Sequence, residues 1–218
     1  LTWDDVIKVE VSGYGASANA VINGQADASM GSSVSSIFNK TNASPRGLFF
    51  PPMPHNDEAG WKRAIAVAPH FAKAVVTNFV GSSDSNKSFE GMNYPYPIFV
   101  TMEKTSEDLS YHLTEAVMEN YDQFKDSGPG MDGYQLSNQN FSWIFPYHPG
   151  AVKYYKKKGV WTSKHDKHNA NLIKRQDVLA KAWQKTLKVN LSGDAFKKKW
   201  LENRASALKA AGMPNAYN

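Results

Sequence analysis

Residues 146–161 read Pro-Tyr-His-Pro-Gly-Ala-Val-Lys-Tyr-Tyr-Lys-Lys-Lys-Gly-Val-Trp. They constrain the fold more than any other stretch, because a helix start, an amphipathic middle and a helix stop follow one another without a gap. Pro149 suits the first helical position, where a missing N–H removes nothing. Gly159 suits the residue after the last turn, and Lys156, Lys157 and Lys158 sit beside the negative end of the helix dipole. The spacing predicts one short, bounded helix carrying the aromatic pair Tyr154 and Tyr155.

Upstream, strand and helix signals alternate. Val6–Val11 is rich in β-branched residues and predicts a strand ending at Gly13-Tyr14-Gly15. A short helix follows, broken at Asn23-Gly24, and Ala26–Met30 predicts a second strand. Gly31-Ser32-Ser33-Val34-Ser35 reads as a turn into another helix. Arg46–Phe50 predicts a strand stopped by Pro51, Pro52 and Pro54. Asn56-Asp57-Glu58 caps a helix through Trp61, Ile65 and Val67, and Ala74–Val80 is strand-like. Such alternation predicts an α/β fold with an open, largely parallel sheet. In Tyr94-Pro95-Tyr96-Pro97 each pre-proline residue is pushed out of the helical region, which forces an extended crossing before Ile98–Met102. Beyond it the pattern is helical: from Thr105-x-x-Asp108 with Leu109, Leu113, Ala116, Val117 and Phe124 on one face, from Pro149, from about Ser163 to Lys188, and from Asp194 to Ala211. The expected organisation is an α/β lobe over 1–92, a crossing segment over 93–102, a helical part over 103–161 and a basic helical C-terminal extension over 162–218.

A chain of 218 residues is long enough for a real core. It has no cysteine, which excludes disulfides, thiolate metal sites and a cysteine nucleophile. The net charge of +5 conceals an asymmetry: residues 1–150 carry 9 basic and 16 acidic side chains, residues 151–218 carry 16 and 4. The basic tail, with Trp161, Trp183 and Trp200, raises the question of nucleic acid or anionic lipid. Its lysines, however, fall at helical spacing around an apolar stripe of Leu172, Val178, Leu179, Ala182, Trp183 and Leu187. A solvated helix face explains them more simply, and nucleic acid is not expected as a partner.

No catalytic residue is expected. Serines are plentiful, but no Gly-x-Ser-x-Gly elbow occurs. His165 and His168 lie three apart on a helix without a local third ligand, so neither a metal nor another cofactor is expected. His55 and His148 stand beside prolines, where capping or backbone hydrogen bonds suit them. Gly31, Ser32, Ser33 and Ser35 form the best candidate site. Gly31 permits tight backbone geometry, and serine amides and hydroxyls at a helix N-terminus would cradle a small carboxylate. The same serines also fit an ordinary N-cap without a ligand.

Phe145-Pro146-Tyr147-His148-Pro149-Gly150-Ala151 followed by Tyr154-Tyr155 resembles the "PLHPGA…YY…G" signature of TAXI-type solute-binding proteins of TRAP transporters. Gly13-Tyr14-Gly15 with Ala20–Ala28 resembles that family's "L-x-x-G-x-I-D-A" segment. Pro51–His55 with Gly60-Trp61, Asn93–Ile98, and Leu113–Phe124 resemble further segments in the same order. The resemblance implies a two-lobed, periplasmic-binding-protein-like fold of type II, here lacking the usual N-terminal part, and it counts that missing N-terminal segment of the same protein among the expected partners. It implies a periplasmic receptor that captures a glutamate-like amino acid or dicarboxylate and delivers it to TRAP membrane subunits. It also favours Tyr94 and Tyr96 as hinge or cleft residues. The expectations from other classes are an α/β-cleft hydrolase and a basic interaction module docking an acidic partner.

Overall fold

Gly150 marks the place where two helices approach too closely for any side chain. In the computed structural model, which describes residues 3–94 and 98–216, the helices in chain order are α1 (Tyr14–Ile22), α2 (Ile37–Asn42), α3 (Glu58–Val67), α4 (Glu107–Glu119), α5 (Tyr121–Phe124), α6 (Pro149–Lys157), α7 (Ser163–Leu187) and α8 (Gly193–Ala210). Two strands, β1 (Ala72–Val76) and β2 (Phe89–Asn93), pair with one another. The chain divides into one unit formed by Leu1–Asp57 and Lys73–Asn93, and a second formed by Glu58–Ala72 and Tyr94–Asn218.

The first unit is organised by phenylalanines. Phe38 on α2 is buried and meets Phe50 edge-on at 6.0 Å; Phe50 stacks on Phe89 of β2 at 5.6 Å and meets Phe79 at 5.9 Å. Such perpendicular and stacked rings combine large apolar burial with favourable quadrupole geometry. Helix α1 buries Ala18 and Ala20 and ends at Asn23, with Gly24 at φ 71° in the left-handed region that glycine tolerates.

Among the described residues the sheet has two strands, not the open parallel sheet expected. Val6–Val11, Ala26–Met30, Arg46–Phe50 and Ile98–Met102 are not strands. The physical reason is that alternation specifies a strand only where a neighbouring ladder exists to accept it. Ile7 is instead 93% exposed. The helices from Tyr14, Glu58, Pro149, Ser163 and Gly193 stand close to their expected bounds.

The core of the second unit is built on α6 and the residues that follow it. Tyr154, Tyr155 and Trp161 form a buried cluster with Phe141, and Tyr111, Met118, Leu136 and Tyr147 pack around it. Burial pushes the Tyr155 phenol up to about 12 and that of Tyr147 higher still. His148 caps α6 by accepting the Gly150 amide at Nδ1, while its Nε2 lies 3.0 Å from the Thr105 carbonyl. A Cβ at Gly150 would collide with the Glu107 carbonyl and lie 2.6 Å from the Tyr111 nitrogen, so glycine is what lets α6 lie against α4.

Two expectations about α4 change. Ser106, not Thr105, is its N-cap, accepting from the Leu109 amide at 3.1 Å. The face turned to α6 carries Ser110 and Tyr111, whereas Leu109 and Leu113 are 52% and 43% exposed. A stripe of leucines marks an apolar face but does not say which neighbour arrives; the close approach at Gly150 selects the small Ser110 instead.

The lysines at the end of α6 do more than face the dipole. Lys157 donates to the Tyr111 hydroxyl at 2.7 Å and to Glu115 at 3.3 Å, Lys158 pairs with Glu119 at 2.6 Å, and Lys156 pairs with Asp166 of α7 at 2.9 Å. Glu119 also accepts from Tyr154, and Asp166 from the Trp161 indole. These partners hold all three carboxyls below their ordinary values: Lys157 first for Glu115, Lys158 for Glu119, Lys156 for Asp166.

Helices α7 and α8 form a hairpin. Thr186 is fully buried, donates to the Ala182 carbonyl and accepts from Asn203. Arg204 bonds Asn215 and the Ala216 carbonyl, and Arg175 the Pro214 carbonyl, so residues 214–216 are clasped to the hairpin.

Gly150→Ala is expected to destabilise the second unit by about 2–3 kcal/mol through overpacking, whereas Gly128→Ala, where a Cβ meets nothing within 4 Å, changes little. Urea titration followed by circular dichroism measures both. A second expectation concerns pH. A carboxyl with a lowered folded-state pKa stabilises fully above its ordinary value, 4.5 for the glutamates and 3.8 for Asp166, and loses that contribution as pH falls through the lowered one. The urea midpoint should therefore be flat from neutrality to about pH 5 and fall below it, with a shallower fall in Glu119→Gln.

Candidate functional site

A short serine-rich turn can offer amides and hydroxyls to an anion only where its own backbone does not consume them. Gly31, Ser32, Ser33 and Ser35 are brought together in the first unit on one turn, whose backbone consumes one of these donors: the Ser35 amide donates to the Ser32 carbonyl at 2.9 Å. The helix begins later than expected, at Ile37, with Ser36 as its N-cap. The amides of Ser32 and Ser35 are therefore not helix N-terminal donors. Ser32 N–H donates instead to the Tyr14 hydroxyl at 3.1 Å.

The turn is anchored on its other side too. The Ser33 carbonyl accepts from the Val80 amide at 2.9 Å, and the Ser33 hydroxyl donates to the Asn78 carbonyl at 3.4 Å. Gly31 sits at a close approach: a Cβ there would collide with the Tyr14 hydroxyl and lie 2.6 Å from the Phe38 ring, so the ends of both side chains would have to shift. Tyr14 is exposed, Ser32, Ser33 and Ser35 are half-buried, and none of these four side chains carries a formal charge. Tyr14 accepts through its oxygen and keeps its O–H proton to donate. Neutral hydroxyls of this kind can hydrogen-bond a carboxylate but cannot pair with it as ions.

Tyr14 is the residue that the sequence reading left out of the site. Its signal was its position between two glycines, where an aromatic is free to reach away from the chain. Asn78 contributes only its carbonyl, for which side-chain identity gives no signal.

Tyr94 lies in the second unit, where its ring meets Phe71 edge-on at 6.0 Å and His70 at 6.5 Å. Tyr96 lies outside the described residues. Two open depressions of the second unit, about 430 and 390 Å³, contain none of the expected site residues; the first is lined by Ser137, Gln139, Asn140, Phe141 and His165 among others, the second by Tyr147, Lys153, Lys156 and Asn169 among others.

The histidines have structural partners. His55 Nε2 lies 3.0 Å from the Gly91 carbonyl, its amide donates to Glu90 at 2.9 Å, and Lys73 donates to its carbonyl at 2.7 Å, which docks the proline-rich loop on the strand pair. His165 Nδ1 accepts the Thr162 amide, completing the capping box of α7, and His168 Nε2 lies 2.7 Å from the Trp143 carbonyl. Among the described residues no group of three His, Asp or Glu side chains could hold a metal ion. None of the described helices is long and apolar enough to cross a membrane.

Compared with known proteins, residues 1–159 match the model of the NMT1-like family. No curated protein and no solved structure matches the chain.

Removing the Tyr14 hydroxyl should expose the Ser32 amide, which donates to it. In Tyr14→Phe, amide hydrogen exchange at Ser32 is expected to accelerate by about 5- to 10-fold, for a net hydrogen bond of about 1 kcal/mol. Exchange at Val80, whose bond to Ser33 is separate, should change far less.

Proposed function

The chain belongs to the NMT1-like family, a periplasmic-binding-protein-like family, and on that premise we propose that it is an extracytoplasmic solute-binding receptor for a small organic anion. The observation that carries this reading is the extent of the family match, which spans residues 1–159 and includes both the serine turn and the Tyr154-Tyr155 helix. Its ligand is a glutamate-like amino acid or a dicarboxylate, its setting the periplasm, and its destination the membrane subunits of a TRAP transporter of the TAXI type. The chain catalyses no reaction.

Gly31, Ser32, Ser33 and Ser35 hold the ligand carboxylate, with Tyr14 as an added donor. Neutral hydroxyls suit a carrier, because an anion held by hydrogen bonds alone is released without separating an ion pair. Tyr94 and Tyr96 contribute aromatic surface. The ligand acts on the receptor only through contacts that differ between the free and bound conformations, and the size of that difference limits the shift in population.

Mass spectrometry of small molecules released from natively purified protein is expected to yield a carboxylic acid. Isothermal titration with that acid should then show binding that weakens by about 10- to 100-fold in Ser32→Ala/Ser35→Ala at an unchanged melting temperature. Turnover of the released compound, or equal affinity in the double variant, would count against the receptor or against its site respectively.

A further inference from the structure

The hairpin of α7 and α8 lies beyond residues 1–159, so the family match does not account for it. Its first helix, α7, carries the apolar stripe of Leu172, Val178, Leu179, Ala182, Trp183 and Leu187. Ala182 is buried and Leu172, Val178 and Leu179 are half-buried, but the end of the stripe is not covered: Trp183 is 38% exposed and Leu187 50%. Leu191, in the connection between the helices, is 45% exposed.

These side chains stand on a firm base. Trp183 meets Trp200 at 5.1 Å and Phe196 at 5.5 Å, both edge-on, and the turn is closed by the Val189 amide bonding the Thr186 carbonyl. Gly193, at φ 55°, reverses the chain into α8. The tip thus presents apolar groups at a fixed place, with little ordering left to be done on contact.

Charge identifies what would meet them. Between Asp177 and Asp194, the two acidic residues that flank the tip, the chain has three lysines and no acidic residue. Lys181, Lys185 and Lys188 are exposed and recur at i, i+4 and i+7, a single stripe that runs to the tip beside the buried Ala182 and Thr186. A leucine pair entering an apolar layer while lysines at the same end reach anionic groups is the chemistry of a membrane interface. Tryptophan at the boundary and flexible lysine stems both favour it.

We propose that the tip of the α7–α8 hairpin docks on an anionic lipid bilayer, with Leu187 and Leu191 in the acyl boundary, Trp183 at its edge, and Lys181, Lys185 and Lys188 on lipid phosphates. The contact is peripheral and reversible, and it is independent of the ligand reading.

Co-sedimentation of the full chain with phosphatidylcholine vesicles, with and without phosphatidylglycerol, tests it. Partition is expected only with the anionic lipid and should fall steeply between about 0.05 and 0.5 M salt. Lys181→Glu/Lys185→Glu/Lys188→Glu should lower it by at least about 100-fold, and Leu187→Ser/Leu191→Ser by roughly 10-fold. Circular dichroism checks that both variants keep their helix content, and the blue shift of tryptophan emission on binding should shrink in Trp183→Phe. The salt titration of the unaltered chain stands even if a variant misfolds. No partition, equal partition into neutral vesicles, or partition that the folded variants leave unchanged overturns the proposal; loss in the lysine variant alone overturns the insertion of the leucines.

Discussion

The absence of a side chain at Gly150 sets the distance between α4 and α6, and most of the second unit depends on that distance. Contact this close puts Tyr154 within reach of Glu119, and Lys157 within reach of Tyr111 and Glu115. Each exposed ion pair is worth little alone, since salt and side-chain entropy oppose it. Their arrangement is directional: Lys157 and Lys158, at the end of α6, pair with carboxylates of α4, and Lys156 pairs with Asp166 in the first turn of α7. The energy comes mainly from the buried aromatic cluster beneath.

The first unit follows a different logic. Only two paired strands are present among its described residues, and phenylalanines from a helix, a strand and two loops fill the space between elements. In this setting the serine turn is held by hydrogen bonds from three places: its own closure, Tyr14, and the chain after β1. These bonds fix the backbone path of the turn, and among its hydroxyls that of Ser33 is tied to the Asn78 carbonyl.

The candidate site was legible in part. Gly31 and the serines stood out because glycine followed by hydroxyl residues is the usual signature of a tight, donor-rich turn. The helix start that would have aimed their amides outward could not be read from the sequence. Ser36, a cap as good as the others on sequence grounds, is the one beyond which the helix begins. Tyr14 was read only as part of a turn, because its partner lies eighteen positions away and no local pattern encodes that distance.

Local chemistry by itself determined the helices that have explicit punctuation: proline and histidine before α6 with glycine after it, threonine before α7, and the glycine and proline that follow α8. Caps and stops act within one turn, so they can be read from neighbours in the chain. Tertiary structure decided which β-rich segments became strands, which face of α4 was buried, and which lysines found carboxylates. All three depend on a partner distant in sequence. A strand exists only with another strand, a helix face is buried only where a neighbour lies, and the leucines of α4 and the tip of α7 remain exposed because no packed element reaches them within their unit among the described residues.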